Sequence, residues 1–228
     1  MTRYLLLSYN IERFINKLYL NRNMKKAELV YRDILYRVIE NKEFRFTQLE
    51  LGKRLNISLS IVNSAIKRLE GLGAIRILRR SFSIIDLKKI LYYWASVRNL
   101  RKDIVFKERV EMPVRDIERN MPSGIVCTAY SAYKFRFRDV PADYSEIYVY
   151  ADEGELELMK KRFNLVDEHK RKLVSSRPNL FLLKKDSLMN SYSSIPLAQV
   201  FVDLWNLPEW YAKEFVQALE KRIFEEAS

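Results

Sequence analysis

Short polar and basic side chains recur at helical spacing between residues 60 and 68, where they could contact nucleic acid. Short polar side chains can approach base edges in the major groove of DNA, and lysine or arginine can reach phosphates or guanine. Apolar residues recur on the opposite side, at Val62, Ala65, Ile66 and Leu69, and are expected to face a core. The exposed side is predicted to carry Ser60, Asn63, Ser64, Lys67 and Arg68.

A short helix and a turn are predicted just before this helix. Leu49, Leu51 and Leu55 are expected on the apolar side of the short helix, and Asn56 and Ile57 form the turn. Two glycines after residue 70 are expected to end the second helix. The spacing therefore predicts two helices joined by a tight turn.

Capping residues support the two predicted helix starts. Thr47 and Glu50 have the spacing of a capping box, in which the hydroxyl accepts a backbone N–H and the carboxylate reaches back to the cap. Ser58 is a favourable N-cap for the second helix.

Two short strands are predicted next, at residues 75–78 and 82–85, with Arg79, Arg80 and Ser81 at the tip of the hairpin. Helix, turn, helix and basic hairpin follow one another in a winged helix-turn-helix, whose second helix enters the major groove of DNA. The alternative is a winged helix that binds another protein, because this module also serves as a scaffold.

The distribution of charge favours the DNA-binding interpretation. The net charge is +12, residues 1–100 hold 20 basic and 8 acidic residues, and the remaining residues hold 21 of each. A segregated positive field is typical of proteins that bind phosphates. The candidate DNA-binding residues are Gln48, Lys53, Arg54, Ser58, Ser60, Asn63, Ser64, Lys67, Arg68, Arg76, Arg79 and Arg80.

Further helices are predicted around this module. Residues 8–20 have one apolar face and could pack on the module or form a dimer; Met24 is an alternative start that would remove them. Residues 25–40 are predicted to form the first helix of the module. Asp86 is expected to cap a helix after the wing, and residues 99–103 are expected to be a linker.

Strands and helices alternate from residue 104 onward, which indicates a second domain built around a small sheet. The predicted fold class is a mixture of α+β and α/β. The winged helix-turn-helix domain, with its extra N-terminal and post-wing helices, is predicted at 1–99, and the small α/β domain at 104–228.

The chain lacks the common sequence signatures of catalysis. The chain has no Walker A motif, no Gly-rich dinucleotide loop, no HExxH and no GxSxG motif. Asp139, Asp143, Glu146 and Asp152 surround a predicted strand, as carboxylates do in metal-dependent nucleases, but they are interpreted as solvated loop residues. No enzymatic activity and no cofactor are therefore predicted.

Cysteine and histidine usage points the same way. The single cysteine, Cys127, allows no disulfide within the chain and no cysteine-based metal cluster. The single histidine, His169, is expected at the surface, so no metal site is predicted. No apolar run approaches the ~20 residues of a membrane span, and a cytoplasmic location with no membrane contact is expected.

Three motifs follow one another in the second half: GIVCTAYSAYKF with Gly124, Ser131 and Ala132, then a strand within residues 141–150, then a segment at residues 202–205 before the last helix. This ordered set resembles the AbiEi-type antitoxins of type IV abortive-infection toxin–antitoxin systems. The resemblance implies an N-terminal domain that represses its own operon and a C-terminal domain that counters a nucleotidyltransferase-like toxin. It supplies no catalytic residues.

The sequence therefore predicts a sequence-specific regulator of transcription that binds double-stranded DNA, with an antitoxin-like role. A homodimer and a nucleotidyltransferase-like toxin are the further partners considered. The alternatives are a nuclease or nucleotidyltransferase-like enzyme targeted by a winged helix, and a regulator whose α/β domain senses a small ligand.

Overall fold

The computed structural model describes residues 25–165 and 177–227. The predicted helix at residues 8–20 and residue His169 lie outside the described residues. The elements up to residue 97 are α1 (Lys26–Ile39), β1 (Arg45–Phe46), α2 (Gln48–Leu55), α3 (Leu59–Gly71), β2 (Ile75–Ile77), β3 (Phe82–Ile84) and α4 (Leu87–Val97).

The helix starts follow local capping chemistry. The Thr47 hydroxyl accepts from the Glu50 N–H at 3.2 Å, the Ser58 hydroxyl from the Ile61 N–H at 3.4 Å, and the Asp86 carboxylate from the Lys89 N–H at 3.0 Å. Each bond satisfies one of the backbone donors that a helix start leaves without an intrahelical partner. The predicted caps of α2, α3 and α4 are therefore confirmed.

Glycine ends α3 where the chain must turn. Gly73 has a φ of +64°, in the left-handed region that glycine enters without a steric cost. The Gly73 N–H donates to the Glu70 carbonyl at 2.8 Å, and the Ala74 N–H donates to the Leu69 carbonyl at 2.9 Å. This pair of bonds is the Schellman arrangement, and it directs the chain from α3 into β2.

Two details of α2 differ from the prediction. Leu49 is 56% exposed, because it lies two residues, or about 200°, around the helix from the buried Leu51. The Glu50 carboxylate does not complete a capping box; it lies 2.6 Å from the guanidinium of Arg37 on α1, which is a stronger partner than a backbone N–H.

The elements of the second half form a sheet with helices on its faces. Across the sheet, the strands lie in the order Ile104–Glu108 (β4), Leu180–Lys184 (β7), Ile147–Ala151 (β6) and Val126–Thr128 (β5). β6 and β7 are parallel, and the other pairs are antiparallel. The mixed fold class predicted from the sequence is confirmed. The elements are α5 (Leu100–Asp103), β4 (Ile104–Glu108), α6 (Val114–Arg119), β5 (Val126–Thr128), α7 (Ala129–Phe137), β6 (Ile147–Ala151), α8 (Glu153–Arg162), β7 (Leu180–Lys184), the 3₁₀ turn Met189–Ser191, α9 (Leu197–Trp205) and α10 (Ala212–Ala227).

One hydrophobic core runs through both halves of the described chain. Helix α9, which is buried from Leu197 to Leu204, packs against α1 and α4 on one side and against α7 and α10 on the other. A second cluster lies between the sheet and helices α6 and α8. The segment expected to be a linker is instead the helical turn α5, in which Leu100 is buried. The division into domains 1–99 and 104–228 stays a prediction.

A buried ion cluster also joins the two halves. Arg98, at the end of α4, is 4% exposed; its guanidinium bonds Asp103 and lies 3.4 Å from Asp203 and 3.6 Å from Glu28. Asp203 also accepts from the hydroxyls of Tyr150, at 2.7 Å, and Thr128, at 2.8 Å. Burial raises the pKa of Asp203 and of Glu28, while Arg98 opposes the rise in both.

Candidate DNA-binding interface

The polar side of α3 is open to solvent. Val62, Ala65, Ile66 and Leu69 are at most 1% exposed and hold the helix on the core. The opposite side lines a shallow surface depression, and its residues were all predicted from the helical spacing. They are Ser60, Asn63, Ser64, Lys67 and Arg68, and all five are exposed.

The start of α3 is suited to an anion. The Ser58 hydroxyl caps the helix, yet it retains its own hydrogen to donate, for example to a phosphate. A helix start also carries unpaired N–H groups and the positive end of the helix dipole. Ser58 can therefore stabilise the helix and contact a DNA backbone at the same time.

Packing between α2 and α3 sets the position of α3. Gly52 lies against the turn, and a Cβ atom placed on it would be 3.2 Å from the Leu59 side chain and 3.3 Å from the Ile57 carbonyl oxygen. Asn56 takes a left-handed conformation, with a φ of +51°. The absence of a side chain at Gly52 thus allows α2 and α3 to approach closely, and the left-handed Asn56 makes the tight turn between them.

The predicted residues of α2 differ in how freely they could reach DNA. Lys53 is exposed and Gln48 is half-buried. The Arg54 guanidinium donates to the carboxylate of buried Asp33 at 2.8 Å, and this bond raises the pKa of Arg54. Arg54 therefore joins α2 to α1 through an ion pair. Its side chain is nevertheless 42% exposed to solvent.

The wing presents a row of basic side chains that the sequence prediction included only in part. In the antiparallel sheet β1-β3-β2, Arg45 pairs with Ser83, and Ser83 pairs with Arg76, so the three share the face opposite buried Phe46 and Phe82. The Arg45 guanidinium donates to the Ser81 hydroxyl at 2.9 Å, near the tip.

Arg45 is the interface candidate that the sequence prediction omitted. The signal was present in the alternation FRF at residues 44–46, because a strand that turns Phe46 inward must turn Arg45 outward. Arg79 and Arg80, both predicted, are exposed at the hairpin tip.

Not all of the basic surplus of residues 1–100 lies on the surface. Arg32 makes two bonds of 2.7 Å to Asp186, Arg37 is paired with Glu43 and Glu50, and Arg98 lies in the buried cluster. These cations are neutralised inside the fold. In the described part of the chain, no carboxylate pairs with the exposed cations Lys67, Arg76, Arg79 and Arg80.

The end of α3 adds one further cation. Arg68 is exposed, and its interaction with the Tyr93 hydroxyl of α4 raises its pKa. Arg68 lies at the far end of the exposed side of α3 from Ser58.

The four carboxylates that the sequence placed around a strand of the second half do not form a common site. Asp152 caps α8, Glu146 accepts from the Tyr211 hydroxyl, Asp139 lies 3.9 Å from Arg222, and Asp143 is exposed. Among the described residues, no group of three or more His, Cys, Asp and Glu side chains could hold a metal ion. Nor does any helix of the described chain combine the length and apolarity needed to cross a membrane.

Comparison with known proteins identifies the first module. Residues 31–81 match a family model described as an HTH domain. Comparisons with curated proteins and with solved structures gave no match. The matched residues run from α1 to the tip of the wing, so they include α2, α3 and the predicted cations. Residues 31–81 are a helix-turn-helix domain, and this domain supports a DNA-binding regulator.

Proposed function

We propose that this protein is a sequence-specific transcriptional regulator that binds double-stranded DNA and represses its own operon as an antitoxin-like protein. The observation that carries the proposal is the exposed side of α3, on which Asn63 and Lys67 are free to contact base edges. Asparagine can make two bonds to adenine and lysine can contact guanine, so this pair can discriminate bases.

The cations of the wing supply the part of the binding energy that does not depend on sequence. Arg79 and Arg80 project from the hairpin tip, and Arg45 and Arg76 flank Ser83 on its outer face. Each phosphate neutralised releases counterion, so affinity falls steeply with salt. Phosphate contacts by the wing would also fix how α3 enters the groove.

Fluorescence anisotropy with a duplex from the protein's own promoter, and with a shuffled duplex, tests this proposal. Replacing Arg79 and Arg80 together by alanine should weaken binding to both duplexes and lower the salt slope by about 1.8. Replacing Asn63 or Lys67 by alanine should cost ~1–3 kcal/mol on the promoter and reduce the preference for it.

The matched control removes two exposed cations from the helices that pack on the second cluster, Arg115 on α6 and Lys161 on α8. This control should bind both duplexes like the native chain. If the Arg79 and Arg80 variant keeps the native affinity and salt slope, the wing is outside the interface. If the Asn63 and Lys67 variants also bind normally, the proposal is refuted.

The antitoxin role is supported by the ordered motifs of the second half. The residues that carry them meet in the core: Asp203, from the segment at 202–205, accepts from Tyr150, at the end of the motif strand, and from Thr128, at the end of β5. Because these side chains are buried, they would shape the fold of the toxin-countering domain rather than contact a toxin.

Expression in cells tests the role in autorepression and protection. A reporter driven by the protein's own promoter should be repressed, and the Arg79 and Arg80 double variant should relieve the repression. Co-expression should rescue growth from a nucleotidyltransferase-like toxin encoded beside it. Rescue by the same DNA-binding variant would assign protection to the second half, whereas no rescue by the native chain would remove the antitoxin role.

We propose further that the protein acts by binding and not by catalysis, and that it binds a two-fold operator as a homodimer. Nucleic-acid turnover with Mg²⁺ or Mn²⁺ that is lost on replacing Asp143 or Glu146 would overturn the first statement. Sedimentation of the native chain with and without operator DNA measures the second, and a single protomer on the DNA would overturn it.

A further inference from the structure

A large cavity lies in the second half of the described chain. It has a volume of about 820 Å³ and lies between α7, the residues leading into β5, and residues 189–197, which lead into the first residue of α9. Ligand sites in proteins commonly have volumes of about 300–1,000 Å³ and mostly apolar walls. The size of this cavity therefore suits a small organic molecule.

Apolar and aromatic side chains form a little more than half of the cavity lining. Among them Tyr133 and Tyr192 are buried, and Phe135 is 52% exposed. Burial raises the pKa of the Cys127 thiol to about 12, so this side chain is a neutral wall group. These residues would contact an apolar, ring-sized body.

The charged groups at the cavity favour an anion. Arg136 and Arg138 line it and are exposed, and in the described part of the chain neither pairs with a carboxylate. Glu118 also lines the cavity, and its carboxylate already accepts hydrogen bonds from Lys134 and from the Tyr144 hydroxyl, each at 2.5 Å. A carboxylate on the ligand could therefore bond a guanidinium without facing an unpaired acid.

One wall of the cavity is fastened to the helix-turn-helix domain. The Tyr192 ring lies 4.7 Å from the Tyr36 ring of α1, and the Leu197 N–H donates at 2.8 Å to the carboxylate of Glu40, the residue that caps the end of α1. Just before this segment, Asp186 holds Arg32 of α1 through two bonds of 2.7 Å. Any shift of residues 189–197 thus acts on α1.

Helix α1 in turn holds α2. Asp33 accepts from Arg54 at 2.8 Å, and Arg37 lies 2.6 Å from Glu50, so α1 and α2 are joined by two ion pairs. Because α2 packs on α3 at the Gly52 contact, the position of α3 depends on this chain of contacts. The cavity and the proposed DNA-binding surface are therefore linked by packed, ion-paired groups.

We propose that this cavity binds a small organic anion with an apolar aromatic body, and that its occupancy changes the affinity for DNA. The effect on DNA rests on the proposed function, whereas binding of the anion does not. A ligand shifts DNA affinity only if it binds the two states of the protein unequally, and such couplings commonly amount to about 5–150-fold.

Calorimetric titration of the full chain tests the site, with 2-naphthoate as the probe and 2-naphthamide as its uncharged counterpart. The native chain should bind one naphthoate and bind the amide at least tenfold more weakly. Replacing Arg136 and Arg138 by glutamine should remove the preference for the carboxylate. Ser194→Trp, at an exposed position of the lining, should block both compounds without altering the core.

Thermal unfolding of each variant without ligand shows that it is folded. Binding of naphthoate that neither variant weakens, or no binding to the native chain, overturns the site.

Saturating naphthoate should change the affinity for promoter DNA at least fivefold in the native chain and leave the Ser194→Trp variant unaffected. Naphthoate binding with unchanged DNA affinity overturns the coupling. Failure of the native chain to bind DNA at all overturns the proposed function and the coupling together, and leaves the anion site to be judged by calorimetry.

Discussion

Replacing Arg98 by methionine tests the buried ion cluster that joins the two halves of the fold. Methionine is similar in size to the aliphatic part of the arginine side chain, but it is shorter than arginine and lacks the guanidinium. Three carboxylates, those of Glu28, Asp103 and Asp203, then lose their shared cation. The change removes a positive charge at the end of α4, where the chain leads into the second half. The methionine side chain still fills much of the space beside the surrounding apolar groups.

The expected loss of stability can be worked out from the contacts. Removing one partner of a buried ion pair costs about 3–5 kcal/mol, because it leaves an uncompensated charge. Asp203 keeps its bonds from Tyr150, Thr128 and Gln199, at 2.7, 2.8 and 2.9 Å, which lowers the cost. We expect a loss of about 3 kcal/mol near pH 8, a large part of the ~5–15 kcal/mol typical of a folded protein.

The loss should shrink as the pH falls. Burial raises the pKa of Glu28 and of Asp203 while Arg98 opposes the rise, so removing Arg98 raises both further. An acid whose folded pKa exceeds its unfolded pKa binds more protons in the native state. It therefore destabilises the fold as the pH rises through the folded pKa. Each further unit of pKa shift corresponds to ~1.4 kcal/mol, so the deficit should be clearly smaller near pH 5.

Urea denaturation followed by tryptophan fluorescence measures these differences. Trp94 is fully buried and its indole N–H donates to Glu28 at 3.1 Å, so its emission reports on the cluster. Arg115→Met, at an exposed position, is the control and should change stability by less than ~0.5 kcal/mol. Adding Asp203→Asn to the Arg98 variant should restore at least ~1 kcal/mol, because it removes one orphaned charge.

Two results would refute this reasoning. One is a deficit of the Arg98 variant below ~1 kcal/mol near pH 8, and the other is a deficit that does not change between about pH 8 and about pH 5.

Three further substitutions test single features of the helix-turn-helix domain. Ser58→Ala should cost ~1 kcal/mol in urea denaturation, because the Ile61 N–H loses its cap, and an unchanged midpoint would contradict the capping role. Gly73→Ala should lower the free energy of unfolding by ~1–2 kcal/mol, because the backbone of Gly73 has a φ of +64°. Gly71→Ala is the control and should be neutral or stabilising, because a Cβ atom at Gly71 meets nothing within 4 Å. Equal effects of the two substitutions would show that the backbone conformation of Gly73 is not the cause. Arg45→Ala should weaken binding to every duplex and lower the salt slope by about 0.9, and native salt dependence would place the outer face of the wing away from DNA.

The features predicted correctly from the sequence are those whose causes lie close together along the chain. Ser58 and Asp86 cap helices through bonds that span three residues, and Val62 and Leu69 follow the period of one helix. Such signals are local, so the order of elements in the helix-turn-helix and the exposed side of α3 followed from them. The alternation of strands and helices after residue 104 could be predicted for the same reason.

Features that depend on partners far along the chain were not predictable in this way. Arg98 looks like an ordinary surface cation in the sequence, yet its partner Asp203 is 105 residues away. Arg32 was counted in the basic surplus, but its charge is neutralised by an ion pair with Asp186, 154 residues away. Glu50 was assigned to a cap three residues away and is instead drawn to Arg37, because only the tertiary fold brings a guanidinium to it.

The order of strands in the second sheet has a consequence for the synthesis of the protein. β7 is made after β4, β5 and β6, yet it occupies the place between β4 and β6. A chain that ends before residue 180 would therefore leave two strand edges facing an empty position. Such a chain would also lack α9, which covers α1 and α4.

The helix-turn-helix region is synthesised before the second half, so its inner face stays uncovered until α9 has been made. Unfinished chains are expected to be degraded rather than released as free repressor fragments.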